Sequence, residues 1–201
     1  YYGNDLRKLI FKYDATGEPG KYFEYLSGNT QLLGFVLRKA TGMSVSEYAS
    51  EKLWRPIEAE HDAYWSLDKE GGDEKAYCCF NSNARDFARI GKLYLDSGRW
   101  SGKQVVPEKY VLESIKPAPT LEKDGGEKNN RYGYSWWLLP NYKGHNIFYA
   151  RGILGQYIVI VPDLKMIIVR LGKRRELTSV NGHPADFYWY VDAALEMYGK
   201  K

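Results

Sequence analysis

The sequence predicts an α+β fold, with helices first, then an antiparallel run of strands, then one closing helix. Three observations predict it. Apolar residues recur at helical spacing in successive stretches before residue 117. Short apolar runs follow at Tyr132–Leu139, Ile147–Ala150, Gln156–Val161 and Met166–Leu171, the last two joined by the turn Val161-Pro162-Asp163-Leu164-Lys165. Beyond Pro184 the chain returns to helical spacing, with Phe187, Val191, Ala194, Leu195 and Tyr198 on one side.

Each element has its own signal. Leu6, Leu9, Ile10 and Tyr13 predict a short helix over Asp5–Tyr13, and Thr16-Gly17-Glu18-Pro19-Gly20 is a turn cluster. A helix over Thr30–Ala40 is expected to bury Leu33, Val36, Leu37 and Ala40, with Gly42 in the left-handed position past its end. Ser44-Val45-Ser46-Glu47 is a capping box that opens a second helix to about Leu53, and Pro56 stops it. Residues 57–81 are irregular around Gly71-Gly72. Asn83 caps a helix over Ala84–Asp96 with Phe87, Ile90, Leu93 and Tyr94 as its buried stripe, and Gly98 closes it. Pro107 suits the first turn of a short helix through Ser114. The Pro-, Gly-, Lys- and Asn-rich residues 117–130 read as a connecting loop between a helical subdomain, 1–116, and a strand-rich part with the final helix, 131–201. The last strands are almost continuously apolar, so both of their faces are expected to be covered.

Composition narrows the function classes. With 201 residues and 44% hydrophobic content the chain can bury a core. The net charge of +4 is mild, and its one tight basic cluster, Lys173-Arg174-Arg175, reads as a solvated loop rather than a nucleic-acid site. No apolar run approaches the roughly 20 residues needed to cross a bilayer. His61, His145 and His183 have no ligand spacing, so neither metal nor cofactor is expected. Cys78 and Cys79 are adjacent and read as two small buried hydrophobes rather than a disulfide. The chain opens at Tyr1 in what reads as mid-domain sequence, so the native N-terminus is expected to lie outside it and the compartment cannot be read.

The chemistry centres on Tyr25-Leu26-Ser27-Gly28-Asn29-Thr30-Gln31-Leu32-Leu33-Gly34. A tyrosine, a polar residue two positions on and a Leu-Leu-Gly helix start, preceded by a Pro-Gly turn, resembles the Tyr-x-Asn motif of serine hydrolases of the class C β-lactamase and penicillin-binding-protein superfamily. The resemblance spans about residues 15–198 and implies the β-lactamase-like fold: a helical subdomain and an antiparallel sheet covered by helices. It implies that Tyr25 acts as base to a serine nucleophile and then as acid to the leaving group. A tyrosine ionises near pH ~10, and a neighbouring lysine ammonium favours the phenolate. Ser27 falls where the family places the substrate-binding asparagine, and Asn29 is either a substitute for it or a helix cap.

The family's strand motif is matched by Tyr149-Ala150-Arg151-Gly152-Ile153-Leu154-Gly155-Gln156. By resemblance, Gly152 lets substrate approach the backbone, and the Ile153 N–H is one oxyanion donor. Ala150 and Arg151 replace the motif's lysine and threonine, a departure that resembles the esterase and 6-aminohexanoate-dimer-hydrolase-like branches. Arg151 is either a carboxylate binder or a structurally paired arginine. Ser66-Leu67-Asp68-Lys69 matches Ser-x-x-Lys formally, but it follows the tyrosine and begins no helix. None of the 24 residues before Tyr25 is a serine. The expectation is therefore a hydrolase of esters, amides or peptides whose nucleophile is absent here, leaving the chain alone inactive. It is expected to pair with its own missing N-terminal part or to self-associate. A peptide- or peptidoglycan-binding homologue without catalysis is the alternative. A periplasmic or extracytoplasmic setting is what the family implies.

Overall fold

The computed structural model describes residues 4–14, 17–122 and 126–198. Thr16 of the predicted turn and residues 123–125 of the predicted loop lie outside the described residues. Two compact units share the chain, Tyr1–Ser82 with Thr120–Lys128, and Asn83–Pro119 with Asn129–Lys201. Residues 83–116, expected in the helical subdomain, and 117–119 of the expected loop fall in the same unit as the strands.

In the first unit Asp5 caps α1, Leu6–Ile10, by accepting from the Lys8 N–H. The next helix, α2, covers Ser27–Thr41 and ends on left-handed Gly42. The capping box forms as read, with Ser44 and Glu47 satisfying each other's backbone, and opens α3, Val45–Ala49. The chain continues as a π turn over Ser50–Trp54. Tyr64–Trp65 pairs antiparallel with Phe80–Asn81, and Tyr22–Phe23 pairs parallel with Leu121–Glu122.

The face that α2 buries is not the expected one. Gln31, Gly34 and Phe35 are buried, while Leu33 and Val36 are 64% and 56% exposed. Polar pairing decides this. The Gln31 amide donates to Glu74 O at 3.0 Å and accepts from the Ala76 N–H at 2.9 Å. Arg38 and Arg7 both donate to the Asp73 carboxylate. The Asp68 carboxylate accepts from the Leu6 and Asp73 N–H groups, and Glu74 accepts from the Ser46 N–H. Residues 68–76 thus form a polar spine on which α1, α2 and α3 all converge.

A second correction concerns the cysteines. Cys78 and Cys79 are joined as a disulfide, with Cys78 half-buried and Cys79 exposed. The chain turns at Cys79, where φ is +67°, and this brings the two sulfurs together instead of packing them into the core.

In the second unit Asn83 caps α4, Ala84–Leu95, by accepting from Asp86 N–H, and Pro107 precedes α5, Glu108–Ser114. Four strands follow: β1 (Trp137–Tyr142), β2 (His145–Arg151), β3 (Gln156–Val161) and β4 (Met166–Leu171). They form one antiparallel sheet in that order. Among the described residues β4 has no strand partner on its outer edge.

The side-chain period of two sends alternate residues to opposite faces. Trp137, Ile147, Tyr149, Tyr157, Val159 and Val161 pack with Phe187 and Val191 of α6, Ala185–Tyr198. Leu138, Phe148 and Ile160 pack with Tyr94 and Leu95 of α4. The expectation of a sheet covered on both faces therefore holds. Tyr198, assigned to the buried side of α6, is the last residue of that helix and is 68% exposed. Phe187 is 0% exposed and stacks on Tyr149 with ring centroids 4.0 Å apart. Phe187→Ala is expected to destabilise the fold by about 3–5 kcal/mol, the usual cost of emptying an aromatic site. An unchanged denaturant midpoint would contradict this packing.

Candidate active site

The sequence-predicted site residues fall into two groups, one per unit. Tyr25, Ser27 and Asn29 lie together at the entry to α2. Arg151, Gly152 and Ile153 lie together at the end of β2.

Tyr25 precedes the Leu26 N-cap and is 55% exposed, so its ring is not spent on the core. Ser27 is the first helical residue and is half-buried. Asn29 is exposed inside the first turn. It is not the cap, because α2 begins at Ser27, earlier than its apolar period suggests.

In the second group, Arg151 is structurally engaged. Its guanidinium lies 3.5 Å from the centre of the Trp137 ring, and Nη1 donates to Gly182 O at 3.2 Å. Two residues back on the same face, the Tyr149 hydroxyl shares a 2.6 Å hydrogen bond with His183 Nδ1. Tyr149 and Arg151 thus grip the consecutive residues His183 and Gly182. Burial pushes the Tyr149 phenol up, and burial with the nearby Arg151 and Arg131 charges pushes His183 down to about 4. The pair is therefore neutral at pH 7. A parallel pair lies alongside, where the Tyr157 hydroxyl donates to buried Asp186 at 3.0 Å. Sequence reading missed these four groups, since nothing in their spacing links the strands to residues 183–186.

Gly152 leaves room for the Gln156 side chain, whose Oε1 a Cβ there would overlap. Ile153 projects from the turn and is 74% exposed. Its N–H meets no acceptor among the described residues. The Ser66–Lys69 stretch is a turn rather than a helix start. The Ser66 N–H donates to Cys79 O, Asp68 serves the backbone of Leu6 and Asp73, and Lys69 lies 3.8 Å from Asp5. Among the described residues no group of acidic, histidine or cysteine side chains could hold a metal, and no helix is long and apolar enough to cross a membrane.

The beta-lactamase family matches residues 1–188. The chain belongs to that family. Over 163 residues it is 32% identical to the 6-aminohexanoate-dimer hydrolase of Paenarthrobacter ureafaciens, covering 78% of this chain and 40% of that protein. A candidate 6-aminohexanoate-dimer hydrolase from Bacillus anthracis superposes with a TM-score of 0.78 at 28% identity, over 96% of this chain and 48% of that one. The fold is also that of the octameric penicillin-binding protein homologue from Pyrococcus abyssi. That match has a TM-score of 0.68 at 23% identity and covers 96% of this chain and 48% of that one. The chain thus spans less than half the length of these relatives. The expected α+β, β-lactamase-like fold and the superfamily resemblance both hold.

The His183 environment fixes a pH response. In the unfolded chain a histidine takes a proton near pH ~6.5. In the folded beta-lactamase-family chain it resists protonation down to about 4. Protonation therefore favours unfolding as pH falls from about 6.5 to 4, and the stability lost over that window is on the order of 3 kcal/mol. Denaturant titrations at pH 7 and pH 4 should show this loss shrinking in His183→Gln. An equal loss in the variant would assign the acid sensitivity elsewhere.

Proposed function

We propose that the protein acts as a serine hydrolase on an ester, amide or peptide substrate through an acyl-enzyme, with Tyr25 as general base. The nucleophile is assigned to a Ser-x-x-Lys segment other than Ser66-Leu67-Asp68-Lys69, which follows Tyr25 and begins no helix. Tyr25 takes the proton of the serine hydroxyl, the serine oxygen adds to the substrate carbonyl, and the carbonyl oxygen becomes an oxyanion. The Ile153 N–H donates to that oxyanion. The bond to the leaving group then breaks, and Tyr25 returns the proton to it. Water releases the acyl group by the same steps in reverse order.

The observation that carries this reading is the Ile153 N–H, presented on an exposed turn with no acceptor among the described residues, at the position where the family's strand motif puts its oxyanion donor. Family membership and the exposed Tyr25 support it. Ser27 and Asn29 follow Tyr25 by two and four residues and are assigned to substrate. Arg151 keeps guanidinium N–H groups beyond the one given to Gly182, and these suit a carboxylate at the edge of the site.

In the full-length protein Tyr25→Phe is expected to lower kcat for p-nitrophenyl butyrate by ~100-fold or more, with an unchanged unfolding midpoint. Ser66→Ala is expected to leave kcat within about twofold, since loss of a nucleophile would remove nearly all activity. Full activity in Tyr25→Phe, or covalent labelling of Ser66 by a fluorophosphonate, would overturn the assignment.

A further inference from the structure

The turn that carries Ile153 is tied down by two side chains outside it. The Gly152 N–H donates to Gln156 O at 2.8 Å, and the Gly155 N–H donates to Gly152 O at 3.2 Å, which closes the backbone. The Gln156 side chain then bridges two segments. Its Oε1 accepts from the Leu154 N–H at 3.1 Å, and its Nε2 donates to Gly172 O at 2.7 Å. Arg170 makes a second bridge. Nη1 donates to Gly155 O, and Nη2 donates to Arg174 O at 3.0 Å. Its guanidinium lies over the Tyr190 ring of α6 at 4.8 Å.

Three glycines make room for these two side chains. A Cβ on Gly152 would overlap Gln156, and a Cβ on Gly155 or Gly172 would overlap Arg170. Gly155 also needs its glycine for a φ of +80°. A tight hairpin closes with far fewer restraints than these. The excess falls on the residues either side of Ile153, the one position in the turn whose N–H is left for a ligand.

We propose that Gln156 and Arg170 are positioning residues, which hold the 152–155 turn so that the Ile153 N–H keeps one orientation toward the reacting carbonyl. This rests on the reading of Ile153 as an oxyanion donor. Such a donor helps only if it is already aimed where charge develops, because reorientation during the reaction would cost what the bond returns. Gln156 supplies a donor and an acceptor from one rigid amide, which methionine matches in size and in neither bond. Arg170 supplies a planar fork to two carbonyls, which lysine cannot span.

The test uses the full-length protein, with amide hydrogen exchange at Leu154 and Gly155 and steady-state hydrolysis of p-nitrophenyl butyrate. Gln156→Met should speed exchange at Leu154 by about tenfold or more, with Val159 and Ile160 unchanged. Its kcat should fall about 10- to 100-fold, a fraction of the loss of a whole oxyanion donor, with KM within about twofold. Gln156→Glu retains an acceptor for the Leu154 N–H and should recover part of the loss. Arg170→Lys should repeat the pattern at Gly155, and it carries the test if Gln156→Met fails to fold. Unchanged exchange in the turn, or faster exchange spread evenly over the strands, would overturn the proposal. Faster exchange in the turn with kcat unaltered would keep the tie and remove Ile153 from the reaction.

Discussion

A strand that is apolar on both sides must be covered on both sides, and the second unit is organised around that requirement. β2 and β3 present large side chains to each face in turn, so neither helix alone can keep the sheet from water. Packing α4 on one face and α6 on the other meets the demand. Burying an aromatic side chain is worth roughly 2–3 kcal/mol, and Tyr149, Tyr157 and Phe187 are all buried on the α6 side. That side also carries polar tips, and the Tyr149 and Tyr157 hydroxyls find partners in His183, just before α6, and Asp186, in its first turn. The hydrophobic requirement places the helix, and the two hydroxyls fix its position along the sheet.

The first unit is held in another way. Its helices are short, and its organising feature is the polar spine at residues 68–76. Asp73 receives two arginines whose own side chains are 54% and 41% exposed, so the Coulomb gain is tempered by solvent. The backbone bonds of Asp68, Glu74 and Gln31 matter more, because they satisfy donors and acceptors that burial would otherwise strand. Along the chain this spine comes between the tyrosine that precedes α2 and the disulfide at residues 78–79, so the segment with the least regular structure fixes the helix that follows the candidate base.

Features encoded within a few neighbouring residues were legible in the sequence. Gly42, the Ser44–Glu47 box, Asn83 and the Pro162 turn are local devices, and each forms where its residues predict. The strands were legible because both of their faces are apolar. The buried face of α2 was not, since its period favours Leu33 and Val36, whereas a hydrogen bond between residues 43 apart turns Gln31 inward. Long-range polar bonds leave no periodic trace. The candidate site divides in the same way. Tyr25 and the Gly152 turn are readable as motifs, but the ties from Gln156 and Arg170 depend on a sheet pairing that brings Gly172 and Gly155 together.

The alternation of β3 also determines where this chain can change length. Tyr157, Val159 and Val161 face α6, and Ile158 and Ile160 face α4. Losing one residue inside β3 would exchange the two sets. It would put the Tyr157 hydroxyl into an apolar layer and leave Asp186 without its donor. The hairpin tip at Lys143-Gly144, where both residues have positive φ and the β1–β2 pairing is already interrupted by a register shift, absorbs such a change at the surface. Insertions and deletions among natural relatives of this unit should therefore gather at that tip and avoid residues 156–161. Indel spacing along the chain then becomes a record of its pleat.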